Sequence, residues 1–258
     1  MNKKTITENS FFLHRNMKIN SYGSSKGYPL LVIPTQDGTA DDYERFGMIE
    51  TLKDYIDNNI IHVFCVDSVD KDSFSDINGD KEKRIQLQEQ YFNYINKEVV
   101  TYIHRINHST NRILLTGNSM GGYHSANLFL RNPQTFEGCI CLSGVYDASY
   151  FFDGWMNDLV RLNSPVHYLQ DMKEDDPKVK LYQDRSIILC IGQGRWEEEG
   201  LATQPILTKE LERLHIPVFS DYWGYDVDHD WPWWQKEIVY LLPKALAKVY
   251  SHYPYRKH

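Results

Sequence analysis

A serine stands between glycines in a pattern that prepares hydroxyl groups for nucleophilic attack. Residues 117–121 read Gly-Asn-Ser-Met-Gly and separate a short apolar run at 112–116 from a helical pattern at 121–131. A strand that turns sharply into a helix at G-x-S-x-G presents the serine at the helix N-terminus, where backbone N–H groups face a developing oxyanion. Ser119 is therefore the predicted nucleophile and the N–H of Met120 a predicted oxyanion donor. The alternative is a helix-capping serine in a glycine-rich turn.

A nucleophilic serine needs a base, which in this type of fold follows the nucleophile and the acid along the chain. Three of the ten histidines are candidates by this order: His167 in an irregular segment, His215 at a predicted helix end, and His229. His229 lies in a loop between the last predicted strand and the last predicted helix, so it is the predicted base. Metal binding with the aspartates of Asp-Val-Asp-His-Asp is the alternative, although their spacing matches no regular ligand pattern.

The acid of such a triad is expected at the end of a strand between those two residues. The predicted strand at 186–191 is followed by GQGRWEEE, in which Glu197 is the predicted acid. Its role is to hold the imidazole tautomer and stabilise the cation. Glu198 and Asp147 are the competing candidates, and a solvated helix start is the alternative for each of the adjacent glutamates.

The loop after an early apolar run supplies the second predicted oxyanion donor. After LLVIP the chain reads Thr35-Gln36-Asp37-Gly38. Acyl-transfer enzymes with a G-x-S-x-G turn take one donor from this loop. The backbone N–H of Gln36 is the predicted donor, with Thr35 as the next candidate.

Aromatic residues cluster around the predicted site. They make up 14% of the chain, and all six tryptophans lie between residues 155 and 234. Tyr146, Trp155 and Trp196 are predicted to line the substrate pocket. Trp233 and Trp234 enter the last predicted helix, where large rings are expected to support long loops.

Short apolar runs alternate with helical patterns, which is typical of a parallel sheet covered by helices on both faces. We expect an α/β-hydrolase fold: one domain over residues 1–258, built as a three-layer αβα sandwich with a mostly parallel sheet. Residues 147–182 break the alternation and are predicted to be a lid-like insertion near the active site. The predicted strands are 11–20, 29–33, 60–66, 112–116, 136–142, 186–191 and 217–222, and the predicted helices are 82–106, 121–131, 207–214 and 234–250.

Composition excludes several classes of partner. A net charge of −7 argues against nucleic acid and anionic membranes, which bind clustered Lys and Arg. The four cysteines lie in apolar runs typical of buried, reduced thiols. No apolar run reaches the length of a membrane span or a signal peptide, so we expect a cytoplasmic protein. The chain has no phosphate loop and no regular metal-ligand pattern, so neither a cofactor nor a metal is predicted.

Several segments together resemble the Putative esterase family of bacterial α/β-hydrolases, which is similar to esterase D and more distantly to antigen 85 mycolyltransferases and siderophore esterases. The resemblance runs from about residue 11 to residue 242. It implies Ser119 as nucleophile, His229 as base and Glu197, in preference to Glu198, as acid. The segments that carry it are YPLLVIPTQDG, GNSMGGYHSANLFLRNP, LSGVYDASYF, IGQGRWEE and DYWGYDVDHDWPWW.

These features predict a serine carboxylesterase that hydrolyses small-molecule esters through an acyl-enzyme intermediate. One alternative is acyl transfer to an alcohol acceptor. The other is a non-catalytic ligand-binding protein that has kept the fold. Acyl and alcohol specificity and oligomeric state are not predicted from the sequence.

Overall fold

The computed structural model describes residues 1–253, which contain a single eight-stranded sheet. The central strands are continuous apolar runs because helices cover both of their faces. The strands are β1 (Lys3–Asn9), β2 (Asn16–Tyr22), β3 (Tyr28–Ile33), β4 (Ile61–Val66), β5 (Ile113–Asn118), β6 (Phe136–Leu142), β7 (Ser186–Ile191) and β8 (Phe219–Tyr222). Their order is β1-β2-β4-β3-β5-β6-β7-β8, with β1 and β2 antiparallel to their neighbours and all the other pairs parallel.

Helices pack on both faces of this sheet, which confirms the predicted three-layer α/β fold. The short helices between residues 42 and 57 and the last helix, over residues 231–252, cover one face of the sheet. The helices between residues 81 and 131 and those between residues 165 and 213 cover the other face. No helix within residues 1–253 has the length and apolar content to cross a bilayer. The helices are α1 (Asp42–Arg45), α2 (Met48–Thr51), α3 (Lys53–Asp57), α4 (Lys81–Asn93), α5 (Val100–Asn107), α6 (Met120–Arg131), α7 (Asp158–Leu162), α8 (Pro165–Asp171), α9 (Pro177–Tyr182), α10 (Glu198–Arg213) and α11 (Trp231–His252), with a π-helical stretch at Tyr94–Val99 and 3-10 turns at Asp70–Asp72 and Ala148–Phe152.

The N-terminal strands differ from the prediction. The predicted strand at 11–20 begins too early, because residues 11–15 form a turn that the Glu98 side chain holds by accepting from Ser10 and Phe12. Strand β1 was missed altogether. It is an edge strand with six of its seven residues exposed, so it carries no apolar pattern.

The long helices also extend beyond their predicted limits. Helix α10 begins at Glu198, nine residues before the predicted start, and continues through Pro205. Its first two turns contain few large apolar residues, so helical periodicity is weak there. The predicted helix at 82–106 is α4 and α5 joined by the π-helical stretch.

The segment between β6 and β7 is built from short helices and packs against the start of α6. Asp147 caps the 3-10 turn at Ala148–Phe152, and the turn's aromatic rings join a separate buried cluster. This cluster also contains Phe74 and Tyr123. The 147–182 segment is therefore attached to the sheet through a small core of its own.

A buried arginine ties this segment to α4. Arg84 is 1% exposed and donates to the carbonyl oxygens of Ser73, Phe74 and Phe151 at 2.7, 2.8 and 2.7 Å. Its guanidinium lies 4.6 Å from the ring centroid of Phe152, and the rings of Phe74 and Phe151 stack at 4.8 Å. Burial lowers the pKa of this guanidinium. One cation thus fixes the backbone of two loops.

Helix α11 buries a glutamate that has no hydrogen-bond partner in the described part of the chain. Glu237 is fully buried, and neither of its carboxyl oxygens has a hydrogen-bond partner among residues 1–253. Burial, and then the charges of Glu197 and Asp221, raise its pKa to about 8. Glu237 is therefore neutral at pH 7, because an unpaired buried carboxylate is costly.

Replacing Arg84 with alanine is expected to lower the free energy of unfolding by about 3 kcal/mol, because three buried carbonyls lose a charged donor. Urea denaturation at pH 7 measures this change. Lys83→Ala, an exposed neighbour on the same helix, is the control. A difference of less than about 1 kcal/mol between the two variants would show that Arg84 does not hold the segment in place.

Glu237 is expected to make the protein less stable as pH rises. Its pKa is about 8 in the folded protein against 4.5 ordinarily, so its stabilising contribution is complete below pH 4.5 and is lost as pH rises through 8. The slope is about 1.4 kcal/mol per pH unit between those limits. Urea denaturation from pH 5 to 8 should show that Glu237→Gln removes this slope, whereas Glu212→Gln, at an exposed position, keeps it. An unchanged slope in Glu237→Gln would contradict the assignment.

Candidate active site

The turn from β5 into α6 holds Ser119 in a strained backbone conformation. Its φ and ψ are 56° and −125°, in a region that non-glycine residues rarely adopt. Its N–H donates to the carbonyl of Leu142 at 2.8 Å, and its own carbonyl accepts from Gly122 and Tyr123 at 2.9 and 3.2 Å. These bonds fix the side chain at the carboxyl end of the sheet.

Two glycines of this turn allow the backbone segments around Ser119 to approach one another. A Cβ atom on Gly121 would lie 2.2 Å from the carbonyl oxygen of Ile33 and 2.5 Å from that of Pro34. A Cβ atom on Gly117 would lie 2.4 Å from the carbonyl carbon of Gly121. Since real Cβ atoms do not come this close, only glycine fits, and the loop after β3 is brought against the turn that holds Ser119.

His229 and Glu197 meet at the ends of two loops. His229 Nδ1 lies 2.9 Å from Glu197 Oε2, and Glu197 is buried immediately before the first turn of α10. The competing acids are directed elsewhere. Glu198 is exposed on α10, and Asp147 accepts from the N–H of Ser149. The geometry therefore pairs the histidine with Glu197.

Sequence reasoning missed Ser143, which lies just beyond β6 with a φ of 53°. Its Oγ donates to Glu197 Oε1 at 2.7 Å and accepts from Trp234 Nε1 at 3.0 Å. The Trp234 ring also packs edge-on against His229, with centroids 5.0 Å apart. A single serine after a strand has no partner at a fixed spacing in the sequence, so no motif identifies it. Its position at the carboxyl end of a parallel strand is the one available signal, because functional residues of α/β folds lie at that edge of the sheet.

The aspartates beside His229 have structural partners. Asp228 binds the side chain of Arg195 through Nε and Nη2, at 2.9 and 2.5 Å, and this arginine lowers the pKa of the carboxyl. Asp230 caps α11 by accepting from the N–H of Trp231 at 2.7 Å. Within residues 1–253, no three His, Cys, Asp or Glu side chains are placed to hold a metal ion.

The two residues predicted to supply oxyanion donors line the same cleft as Ser119 and His229. Gln36 and Met120 line this cleft, and in the described part of the chain their backbone N–H groups donate to no protein acceptor. The Gln36 side chain donates to Ser75 Oγ at 2.8 Å. The cleft that Ser119 lines is thus also lined by two residues whose backbone N–H groups are unused in the described part of the chain.

The cleft has a volume of about 200 Å³. Of the three residues predicted to line the pocket, the structure places one in the cleft wall and two elsewhere. Trp196 lines it, but Tyr146 is fully buried in the core on the α10 face, and Trp155 packs against Phe152 at 5.9 Å. Packing of the 147–182 segment turns other aromatic rings toward the cleft instead. The lining residues are Gln36, Ser119, Met120, Val145, Tyr150, Phe151, Trp196, Glu199, Gly200 and His229.

In comparisons with known proteins, the chain matches one family model and many solved structures of similar fold. The chain matches the family model Putative esterase over residues 10–245. A ferulic acid esterase superposes with a TM-score of 0.74 at 16% identity, covering 96% of this chain and 98% of that protein. An S-formylglutathione hydrolase from Agrobacterium tumefaciens superposes with a TM-score of 0.76 at 15% identity, covering 95% of this chain and 95% of that protein. An S-formylglutathione hydrolase from Staphylococcus aureus superposes with a TM-score of 0.68 at 18% identity, covering 95% of this chain and 96% of that protein.

The curated sequences give no significant match. The structural likeness, at identities below 20%, establishes the fold, and the family match spans most of the chain, including Ser119, Glu197 and His229. This chain belongs to the Putative esterase family and has the α/β-hydrolase fold.

Proposed function

We propose that this protein is a serine carboxylesterase acting on small-molecule esters in the cytoplasm. The observation that carries the proposal is one cleft lined by a strained serine, by a histidine paired with a buried glutamate, and by two residues whose backbone N–H groups have no acceptor among the described residues. Membership of an esterase family supports the same reaction class. The net charge of −7 supports a small-molecule partner over nucleic acid or an anionic membrane.

The acylation step uses each of these groups. Ser119 Oγ attacks the ester carbonyl carbon while His229 takes its proton, and Glu197 stabilises the resulting imidazolium. The carbonyl oxygen becomes an oxyanion that accepts from the N–H groups of Met120 and Gln36. When the tetrahedral intermediate collapses, the carbon–oxygen bond to the alcohol breaks, and His229 gives its proton to the departing oxygen.

Deacylation repeats this sequence with water. His229 takes a proton from water, the hydroxide oxygen bonds to the acyl carbon, and Ser119 leaves with the proton that the imidazolium returns. An alcohol in place of water would give a new ester, which is the acyltransferase alternative. Product analysis with added alcohol separates hydrolysis from transfer.

Ser119→Ala is expected to lower hydrolysis of p-nitrophenyl acetate by about 10³-fold or more, because no other group can form the acyl-enzyme. Ser25→Ala, at an exposed position, should retain wild-type activity. A fluorophosphonate probe should label the wild-type protein and not Ser119→Ala. Retained activity in Ser119→Ala would overturn the proposed nucleophile, and absence of labelling in the wild type would favour a non-catalytic binding protein.

Ser143→Ala is expected to lower kcat about tenfold with little change in KM, because Glu197 loses a donor that orients it toward His229. Trp234→Phe removes the indole N–H and part of the ring system but leaves the Ser143 hydroxyl to donate to Glu197, so its loss should be smaller. Trp233→Phe, on the adjacent position of α11, serves as the control. Steady-state kinetics on p-nitrophenyl acetate measure all three. Wild-type kcat in a folded Ser143→Ala variant would show that Glu197 needs no such support.

A further inference from the structure

The wall of the cleft contains a carboxylate that the proposed reaction does not use. Glu199 lies in the first turn of α10 and lines the cleft beside Tyr150, whose hydroxyl donates to Glu199 Oε1 at 3.2 Å. Burial, and then Glu199, raise the pKa of Tyr150. This hydrogen bond joins the Glu199 carboxylate to Tyr150 in the wall of the cleft that Ser119 also lines.

The charge of Glu199 is not balanced by a cation in the cleft. Among the described residues that line it, none is lysine or arginine. The neighbouring Arg195 binds Asp228 and lies 5.2 Å from the ring centroid of Trp196, so its charge is already paired. Glu198, the next residue of the same helix turn, does not line the cleft. Glu199 therefore gives the described side chains that line the cleft a negative formal charge with no lysine or arginine to balance it.

Three aromatic residues line the same cleft as this carboxylate. Tyr150, Phe151 and Trp196 all line the cleft, and Trp196 is 66% exposed. The faces of such rings attract cations and pack against uncharged groups, but they give an anion no compensating interaction. Ring faces and carboxylate thus favour the same sign of substrate charge.

We propose that Glu199 determines substrate charge, so that the enzyme prefers cationic and uncharged esters over esters with an anionic group near the scissile bond. This inference rests on the proposed esterase function. Because Glu199 is exposed, solvent and salt screen its charge, and the effect on kcat/KM is about two- to fivefold for each unit of substrate charge.

Three phenyl acetates of similar shape test the inference: 4-acetoxybenzoate as the anion, its methyl ester as the neutral compound, and 4-acetoxy-N,N,N-trimethylanilinium as the cation. A second pair, mono-4-nitrophenyl succinate and 4-nitrophenyl pentanoate, places the charge on the acyl side. Comparing each kcat/KM ratio between wild type and variant cancels the intrinsic reactivity of the esters.

Glu199→Gln is expected to raise kcat/KM for an anionic ester two- to fivefold relative to its neutral partner, and to lower it for the cationic ester. Glu199→Lys should extend both changes, and 0.5 M NaCl should reduce the preference of the wild type. Glu198→Gln is the matched control, because it removes the same charge from the same helix turn at a residue that does not line the cleft.

Equal ratios in wild type and Glu199→Gln, or equal changes in Glu199→Gln and Glu198→Gln, would overturn the charge preference while leaving the esterase proposal intact. A wild-type protein that hydrolyses none of these esters and takes no fluorophosphonate label would overturn both proposals.

Discussion

The close approach of backbone at the β5–α6 turn constrains everything else in the site. Gly121 lies against the carbonyls of Ile33 and Pro34, so the loop that follows β3 must run beside the turn that holds Ser119. Ser119 has a strained backbone conformation in this turn, and Gln36 of the neighbouring loop lines the same cleft. Strain of this kind persists only where surrounding structure over-determines it, and here buried parallel strands on both sides do so.

Two buried glutamates near one another have opposite surroundings. Glu197 accepts from Ser143 and is bonded to His229, whereas Glu237 has no partner among residues 1–253 and is neutral at pH 7 because burial raises its pKa to about 8. Because Glu237 is neutral, it places no second negative charge near Glu197. The environment of each residue, rather than its type, therefore decides what it can do.

Sequence predicted the parts of the site that chain order and strand ends determine. Ser119 follows β5, a buried apolar strand whose pattern is strong, and Glu197 follows β7, which is buried as well. Chain order placed His229 after the last strand, and the structure brings Glu197 to that histidine. Tyr146 could not be placed, because its direction depends on how a distant part of the chain packs after β6. Ser143 has no pattern at all, since a single hydroxyl acquires its role only when Glu197 and Trp234 come to it from remote positions.

The attachment of the cleft wall by Arg84 has a consequence for how such enzymes diversify. Arg84 holds the main-chain oxygen of Phe151, so this part of the wall's backbone has an anchor that is independent of the neighbouring Tyr150 side chain. Substitutions at position 150, whose ring is half exposed, can change the surface that a substrate meets without removing that anchor. Selection for a new ester can therefore act on a few exposed rings while the catalytic framework behind them stays constant.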